Sequence, residues 1–315
     1  MKLGLALDLG PAKGPVYEHA SSLAGLLSLA EHEGYGIVWV GENYSRSSSP
    51  FHPSASIVAL GFLASMTNLD LGTGVVLLGA HSEKRLRYDL ASLGQLTPGR
   101  VHLGVGLGAP NLWTEFGKAA PRPNELDILL KDLRSELLSV EGDPDPYETV
   151  IPILIGGRTL ASAQRAAAPY DGYILSSTYP IEIVERQVSA YDRRRRELGL
   201  SSTGRRVVIN RFAIASDDLK TARSLAIDHL CPALDRYLHM NVIPQWKSAG
   251  TQEEWDRLIH ECCLVGDRRS IREDLARYAE IGVTEVNVRP WFGDLPRSAS
   301  LDTVAIIGDL VKAME

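Results

Sequence analysis

The groups in this chain with the most capacity for chemistry are glycines, hydroxyls and arginines, placed where apolar runs give way to turns. In IPILIGGRTLASAQRAA, Ile151 to Ala167, a buried-strand pattern ends at Gly156-Gly157-Arg158 and a helical pattern follows at once. Unpaired backbone N–H groups and the positive end of a helix dipole would converge there, which is the chemistry of an anion cradle. The next unit ends in YILSSTYP, where Ser176, Ser177 and Thr178 offer hydroxyl donors from the neighbouring strand. A glycine pair alone also fits an ordinary strand-to-helix turn capped by Thr159, and it is the second donor-rich strand end that favours a phosphate.

A second glycine-bearing stretch runs from Asn68 to Gly108, NLDLGTGVVLLGAHSEKRLRYDLASLGQLTPGRVHLGVGLG. It reads as strand, turn, amphipathic helix, tight turn and strand, with bare peptide groups at two parallel strand ends suited to something flat and anionic. VGLGAPN, Val105 to Asn111, lacks a dinucleotide fingerprint and closes a fourth strand rather than a first, which excludes a Rossmann unit. Its glycines would let a planar ring approach the backbone, while the anionic end of the same ligand would sit at Gly156-Gly157.

The elements that must position these groups are strand-like runs alternating with amphipathic helices. Eight strands are expected, beginning near Lys2, Gly36, Leu69, Val101, Ile151, Gly172, Arg206 and Thr284, and eight such repeats predict a closed α/β barrel. Helices are expected over Tyr17 to Glu33, stopped by Gly34, and over Ser300 to Lys312. GDPDPYET, Gly142 to Thr149, has the composition of a surface loop. Between the seventh and eighth strands, Ser216 to Asp267 is over-long and helical, an insertion of the kind that forms a lid or pocket wall.

The carboxyl ends of the eight strands then define the site. They carry Asp8; Glu42, Asn43 and Tyr44; Thr73 and Gly74; the Gly104 to Gly108 run; Gly156 to Arg158; Ser176 to Thr178; Asn210 and Arg211; and Arg289 with Trp291. No lysine stands among them for Schiff-base chemistry, and no His/carboxylate set has metal-ligand spacing. His102, near the start of its strand, belongs to the opposite, stability face. Hydroxyls, backbone amides and arginine suit a phosphate-bearing organic cofactor that brings its own chemistry.

Composition narrows the classes further. The chain has 315 residues, 44% hydrophobic, enough for a single domain with a full core, and a net charge of −6. Its densest basic run, Arg193 to Arg196, lies late in an expected helix and reads as a solvated face, so no nucleic-acid partner is expected. Neither a signal peptide nor a membrane span is apparent, and a soluble cytoplasmic protein is expected. Cys231, Cys262 and Cys263 are expected to be inert thiols rather than a disulfide framework.

VWVGENY, LDLGTGVVLL, QLTPGRVHLGVGLG, PILIGG and LVGDRRSIREDLARYAEIGVTEVNV together resemble the bacterial luciferase-like superfamily, over nearly the whole chain. The resemblance implies a TIM barrel that binds FMN or the deazaflavin coenzyme F420 at its carboxyl face, for monooxygenation or hydride transfer. It implies a non-proline cis peptide at Thr73–Gly74 or Gly74–Val75, in a bulge that backs the flavin ring. It implies that Gly156, Gly157, Ser176, Ser177 and Thr178 hold the phosphate, with Gly106, Gly108 and Asn111 beside the ring and ribityl chain; Asp8 and Arg158, at strand ends, are further cofactor-binding candidates. Relatives also commonly form dimers through helices over the early strands.

The chain departs from that pattern in two places. Many relatives carry histidine after the acidic residue at the second strand end, where this chain has Asn43, which cannot take a proton at neutral pH. The sugar-phosphate dehydrogenase branch has glutamate after the fourth-strand glycines, where this chain has Ala109-Pro110. Glu42 is the remaining acid–base candidate, unless its carboxylate is taken by neighbouring backbone or by Arg211. GENY and VGLGAP look more like the F420-dependent reductases, with an FMN monooxygenase and a non-catalytic flavin-binding relative as alternatives. Trp113, Phe116, Tyr237, Met240, Trp246 and Trp291 would wall an apolar pocket for a small organic substrate, and a separate flavin or F420 reductase would supply reduced cofactor.

Overall fold

A computed structural model describes residues 1–7, 9, 20–42, 55–108, 113, 117, 119, 122–138, 151–168, 170–239, 243 and 246–314. Strand and helix alternate from the start: β1 (Lys2–Leu7), α1 (Ala20–His32), β2 (Ile37–Val40), α2 (Ser56–Leu63), β3 (Asp70–Leu77) and α3 (Glu83–Leu96). There follow β4 (Val101–Gly106), α4 (Pro123–Leu138), β5 (Ile153–Gly157), α5 (Leu160–Ala166), β6 (Gly172–Leu175), α6 (Ile181–Glu197) and β7 (Val207–Ala215). After β7 come α7 (Leu219–Leu225), a π-helical turn at Ala226–Leu230, α8 (Cys231–His239), α9 (Gln252–Cys262) and β8 (Leu264–Gly266). The remaining elements are α10 (Arg268–Glu280), β9 (Glu285–Trp291) and α11 (Arg297–Lys312).

Neighbouring strands pair in parallel from β1 to β7, β9 pairs with both β7 and β1, and the eight strands close into a TIM barrel. All eight expected barrel strands are present. The eighth is β9, because one strand intervenes that the sequence did not signal: β8, only three residues long. It pairs with Ala213–Ala215, where the nine-residue β7 outruns the barrel and leaves an edge to be covered. The chain between β7 and α10 contains α7, α8 and α9, and their apolar faces gather with Phe212, Ile214, Phe292 and Leu295 into a cluster of their own.

The period-two alternation of each strand sorts its side chains. Outward residues such as Leu5, Val38, Leu103, Ile155, Val286 and Val288 meet the wall helices in the main core, with Leu23, Leu26, Leu27 and Ala30 of α1. Inward residues Ala6, Ile37, Trp39, Leu154, Ile174 and Val208 plug the lumen. Beneath that plug, Glu285 accepts hydrogen bonds from Trp39 Nε1 at 2.9 Å and from Arg206 at 2.7 and 3.0 Å. Arg206 also lies 2.9 Å from His102 Nδ1, and the other nitrogen of that ring is 2.9 Å from Asp70. Asp70, His102, Arg206 and Glu285 stand at strand starts, so His102 does belong to the stabilising face. Gly34, at φ 85°, ends α1 as expected, and α11 begins three residues before the expected start.

Cys231, Cys262 and Cys263 are all buried and unbridged, with burial pushing the first two thiols up to about 11 and about 12. Among the described residues no helix is long and apolar enough to cross a membrane, and no His/Cys/Asp/Glu group could hold a metal ion.

Candidate active site at the carboxyl face of the barrel

The end of β3 shapes the mouth. A cis peptide joins Gly74 to Val75, at the second of the two expected positions, and the register with β4 shifts between Thr73 and Val76. Thr73 Oγ1 donates to the Gly104 carbonyl at 2.8 Å and accepts from the Gly104 N–H at 2.9 Å, so its hydroxyl fastens the bulge and is wholly buried. The bulge turns the Val75 side chain across the lumen, against the apolar plug on one side and Leu77 and Trp113 on the other.

That packing explains two glycines. A Cβ on Gly156 would stand 2.6 Å from Val75 Cγ1, and one on Gly106 would stand 3.0 Å from Val75 Cγ2. The bare positions make room for an isopropyl group, and a planar ligand would meet Val75 rather than the glycine backbone. Gly157 is bare because Ser162 of α5 packs against it, while Gly108 is exposed with φ 71°.

Glu42, at the end of β2, is buried and fully occupied. Its carboxylate accepts from Leu77 N–H at 2.8 Å and from Ser56 Oγ at 3.2 Å, and His81 Nε2 lies 3.1 and 3.0 Å from its two oxygens. The hydrogen bond to Glu42 raises the His81 pKa above the ordinary histidine value, against the opposing effect of burial. Glu42 N–H also donates to Val75 O at 3.1 Å, tying β2 to the bulge.

Of the two partners weighed for Glu42, the backbone is present and Arg211 is not: Arg211 bonds Tyr278, Ser177 and Tyr179 on the outer side of β7. The sequence reading missed His81. Its signal was a lone histidine just past the β3 strand end, in LLGAHS, outside the window read as strand terminus.

Across the mouth, β5 and β6 end side by side, with Gly157 in register with Leu175. Thr159 caps α5 by accepting from Ser162 N–H, and Ser162 Oγ accepts from Thr159 N–H in return. The local turn chemistry weighed as the alternative is therefore present here. The carbonyls of Gly157 and Arg158 are drawn outward, the first to Tyr173 Oη at 3.1 Å and the second to Tyr179 Oη at 2.9 Å and Gln187 Nε2 at 3.0 Å. Burial raises the Tyr179 pKa to about 12, keeping the phenol protonated as a donor. A trans peptide with its carbonyl held outward turns the following N–H, here that of Arg158, to the opposite side. Ser176 is half-buried, Ser177 nearly enclosed and Thr178 enclosed.

The predicted pocket walls separate. Trp113 is buried over Leu77 and donates its indole N–H to Leu107 O at 2.8 Å. Tyr237 of α8 meets the barrel: both Arg289 Nη atoms lie 3.4 Å from its hydroxyl and its ring packs edge-on to Phe212. Trp246 sits inside the α7–α9 cluster, its N–H on Glu261 and its face under Arg257. Trp291 is half-buried with Arg297 stacked on its ring. Asp8, Asn43, Asn111, Phe116 and Met240 lie outside the described residues.

In the lumen, Asn287 is fully enclosed and neither its Oδ1 nor its Nδ2 has a partner among the described residues; Asn210 Oδ1, beside it in register, has none either. Buried amides left so cost about 1–3 kcal/mol each, which calls for a non-protein partner. Orphaned polar atoms in the lumen, an apolar Val75 platform, a carboxylate–imidazole pair and a donor-rich strand pair fit an organic ring with polar edges and an anionic tail.

Comparison with known proteins gives the family. A family described as luciferase-like monooxygenase matches residues 1–285. A luciferase-like monooxygenase of Escherichia coli (strain K12) is 32% identical over 178 residues, 51% of each chain, so the match spans about half of that relative's length. An F420-dependent glucose-6-phosphate dehydrogenase of Kineococcus radiotolerans is 28% identical over 200 residues, 55% of this chain and 58% of the relative. The crystal structure of monooxygenase RslO1 from Streptomyces bottropensis superposes with a TM-score of 0.81, covering 100% of this chain and 99% of that one at 22% identity, a likeness of fold. With the family matched from the first residue through the start of β9 on a closed barrel bearing a Gly74–Val75 cis peptide, the chain belongs to the luciferase-like monooxygenase family.

Proposed function

We propose that this protein is an F420-dependent oxidoreductase that moves a hydride between the deazaflavin and a carbon of a small organic substrate. The observation that carries this reading is the buried Glu42–His81 pair beside the Val75 platform. Hydride transfer to or from a carbonyl or alcohol carbon leaves a proton to be handled at oxygen, and an imidazole held by a carboxylate does that near neutral pH. Bound at the mouth, the deazaflavin would supply or accept the hydride at its central ring.

The chain's own residues do the rest. Val75 supports one face of the ring, and the Arg158 N–H with the Ser176, Ser177 and Thr178 hydroxyls binds the phosphate. Gly106, Gly108 and Asn111 flank the ring and ribityl chain with Asp8. His81, its Nε2 held by Glu42 and its ring so oriented, handles the proton through Nδ1 in place of the family histidine, and Trp113 and Tyr237 border the substrate space. Closure of the α7–α9 segment over Phe212 and Arg289 would exclude water. A separate reductase would return F420 to its reduced form.

An FMN-dependent monooxygenase is the second reading, supported by the monooxygenase relatives on both sequence and fold. Anaerobic mixing with reduced F420 and a panel of carbonyl and enone substrates, following return of the oxidised deazaflavin band, tests the choice. Turnover that requires both reduced FMN and oxygen, with none from F420, would reverse it.

A further inference from the structure

Arg211 is a charged side chain wholly enclosed in the protein, at 0% exposure, and its hydrogen bonds all go to neutral acceptors. Nε donates to Tyr278 Oη at 2.7 Å, Nη1 to the Ser177 carbonyl at 3.2 Å and Nη2 to the Tyr179 carbonyl at 2.7 Å. The Tyr278 ring lies 5.3 Å from its Cζ. Burying a guanidinium with no carboxylate in hydrogen-bond contact, the Asp274 carboxyl acting on it only at longer range, is expensive, and an apolar residue of similar volume would fill the same space. The arginine must therefore do something that packing does not require.

What it holds is the turn after β6. The Ser177 carbonyl is pulled outward, which by peptide planarity turns the Thr178 N–H away from Arg211. Tyr179, fixed through its carbonyl, reaches with its hydroxyl to the Arg158 carbonyl at 2.9 Å and so sets the turn after β5. One guanidinium thus governs two adjacent strand ends, directly at Ser177 and Tyr179 and through Tyr179 at Arg158. Its positive charge, poorly screened in the interior, acts on the same spot.

We propose that Arg211 is a positioning residue for an anion cradle between β5 and β6, setting selectivity for the phosphorylated form of the coenzyme over the same ring without its phosphate. The proposal rests on the reading that the coenzyme phosphate binds at these two strand ends. Ring binding rests on Val75, which none of the Arg211 hydrogen bonds touches.

The test compares equilibrium affinities for FMN against riboflavin, and for F420 against its phosphate-free deazaflavin alcohol, in wild type, Arg211→Met and Tyr179→Phe. Circular dichroism and thermal melting check the fold. Preference for the phosphorylated form should fall by about tenfold in Arg211→Met, the worth of a charge-assisted contact, and by a smaller factor in Tyr179→Phe. Affinity for the phosphate-free form should stay unchanged. A folded variant with wild-type preference, or one that loses both forms equally, overturns the proposal. Should Arg211→Met fail to fold, Tyr179→Phe decides. A wild type with no preference for phosphate, or one that binds neither coenzyme, overturns the phosphate reading itself and the proposal with it.

Discussion

His81 approaches both carboxylate oxygens of Glu42, at 3.1 and 3.0 Å, although the two residues are 39 positions apart and come from the ends of different strands. The pair is sequestered: Glu42 is enclosed and His81 mostly so. If it carries the proton in hydride transfer, His81→Gln should lower kcat by about 10²- to 10⁴-fold while leaving coenzyme affinity near wild type. Glu42→Gln should lower it less and shift the acid limb of the pH–rate profile downward, because the group that raises the imidazole pKa is gone. Steady-state kinetics across pH check both.

The same pair makes stability depend on pH. The folded-state pKa of His81 is raised above its unfolded value of about 6.5, so the folded form binds the extra proton more tightly. Its contribution is fully present below that unfolded value and is lost as pH rises through the folded pKa. His81→Gln should cost about 1–3 kcal/mol at mildly acidic pH, and the deficit should shrink in alkaline solution. Denaturant unfolding at several pH values measures it; a deficit that grew with pH would contradict the assignment.

Val75 and Gly156 should be energetically coupled. Gly156→Ala places a methyl 2.6 Å from Val75 Cγ1 and should cost about 1–3 kcal/mol. Val75→Ala removes the obstacle, so the double variant should be less destabilised than the sum of the two singles by at least about 1 kcal/mol in a double-mutant cycle.

At the opposite end of the barrel, Glu285→Ala strips Trp39 and Arg206 of their shared acceptor and should destabilise by about 3 kcal/mol. Glu285 stands at the start of β9, far along the strand from the mouth, so coenzyme affinity should be unaffected in protein that remains folded. Melting and binding measured on one sample separate the two effects.

Helices α2, α3 and α4 expose Val58, Phe62, Tyr88, Leu96 and Ile128, with Val58 at 74% and Leu96 at 76% exposure. Such residues on adjacent helices favour a covered face, and a homodimer is the expected occupant. Sedimentation should give a dimer that Val58→Glu with Leu96→Glu converts to monomer.

The barrel was legible because its strands carry period-two and buried patterns that survive without tertiary information, and the Gly74–Val75 bulge was legible through the family motif LGTGV. Short β8 was not, since three residues carry too little pattern to separate a strand from a helix end. At the site, Glu42 was readable from its place after β2, but its partner depends on a turn after β3 that brings His81 back over the strand end. The glycines misled in one respect. They mark close approach, yet at Gly106 and Gly156 the approaching group is Val75, which sequence spacing cannot reveal. Tyr237 and Trp246, both aromatic and both packed on the same helical cluster, differ in their polar partners, Arg289 of the barrel for one and Glu261 of α9 for the other.

On the function proposed above, the mouth above Val75 binds a deazaflavin. Titrating the purified protein with F420 and, separately, with FMN, following the absorbance and fluorescence of each coenzyme, tests it most directly. Saturable binding of F420 that is tighter than that of FMN is the predicted result; saturation by FMN with no binding of F420, or no binding of either, would contradict it.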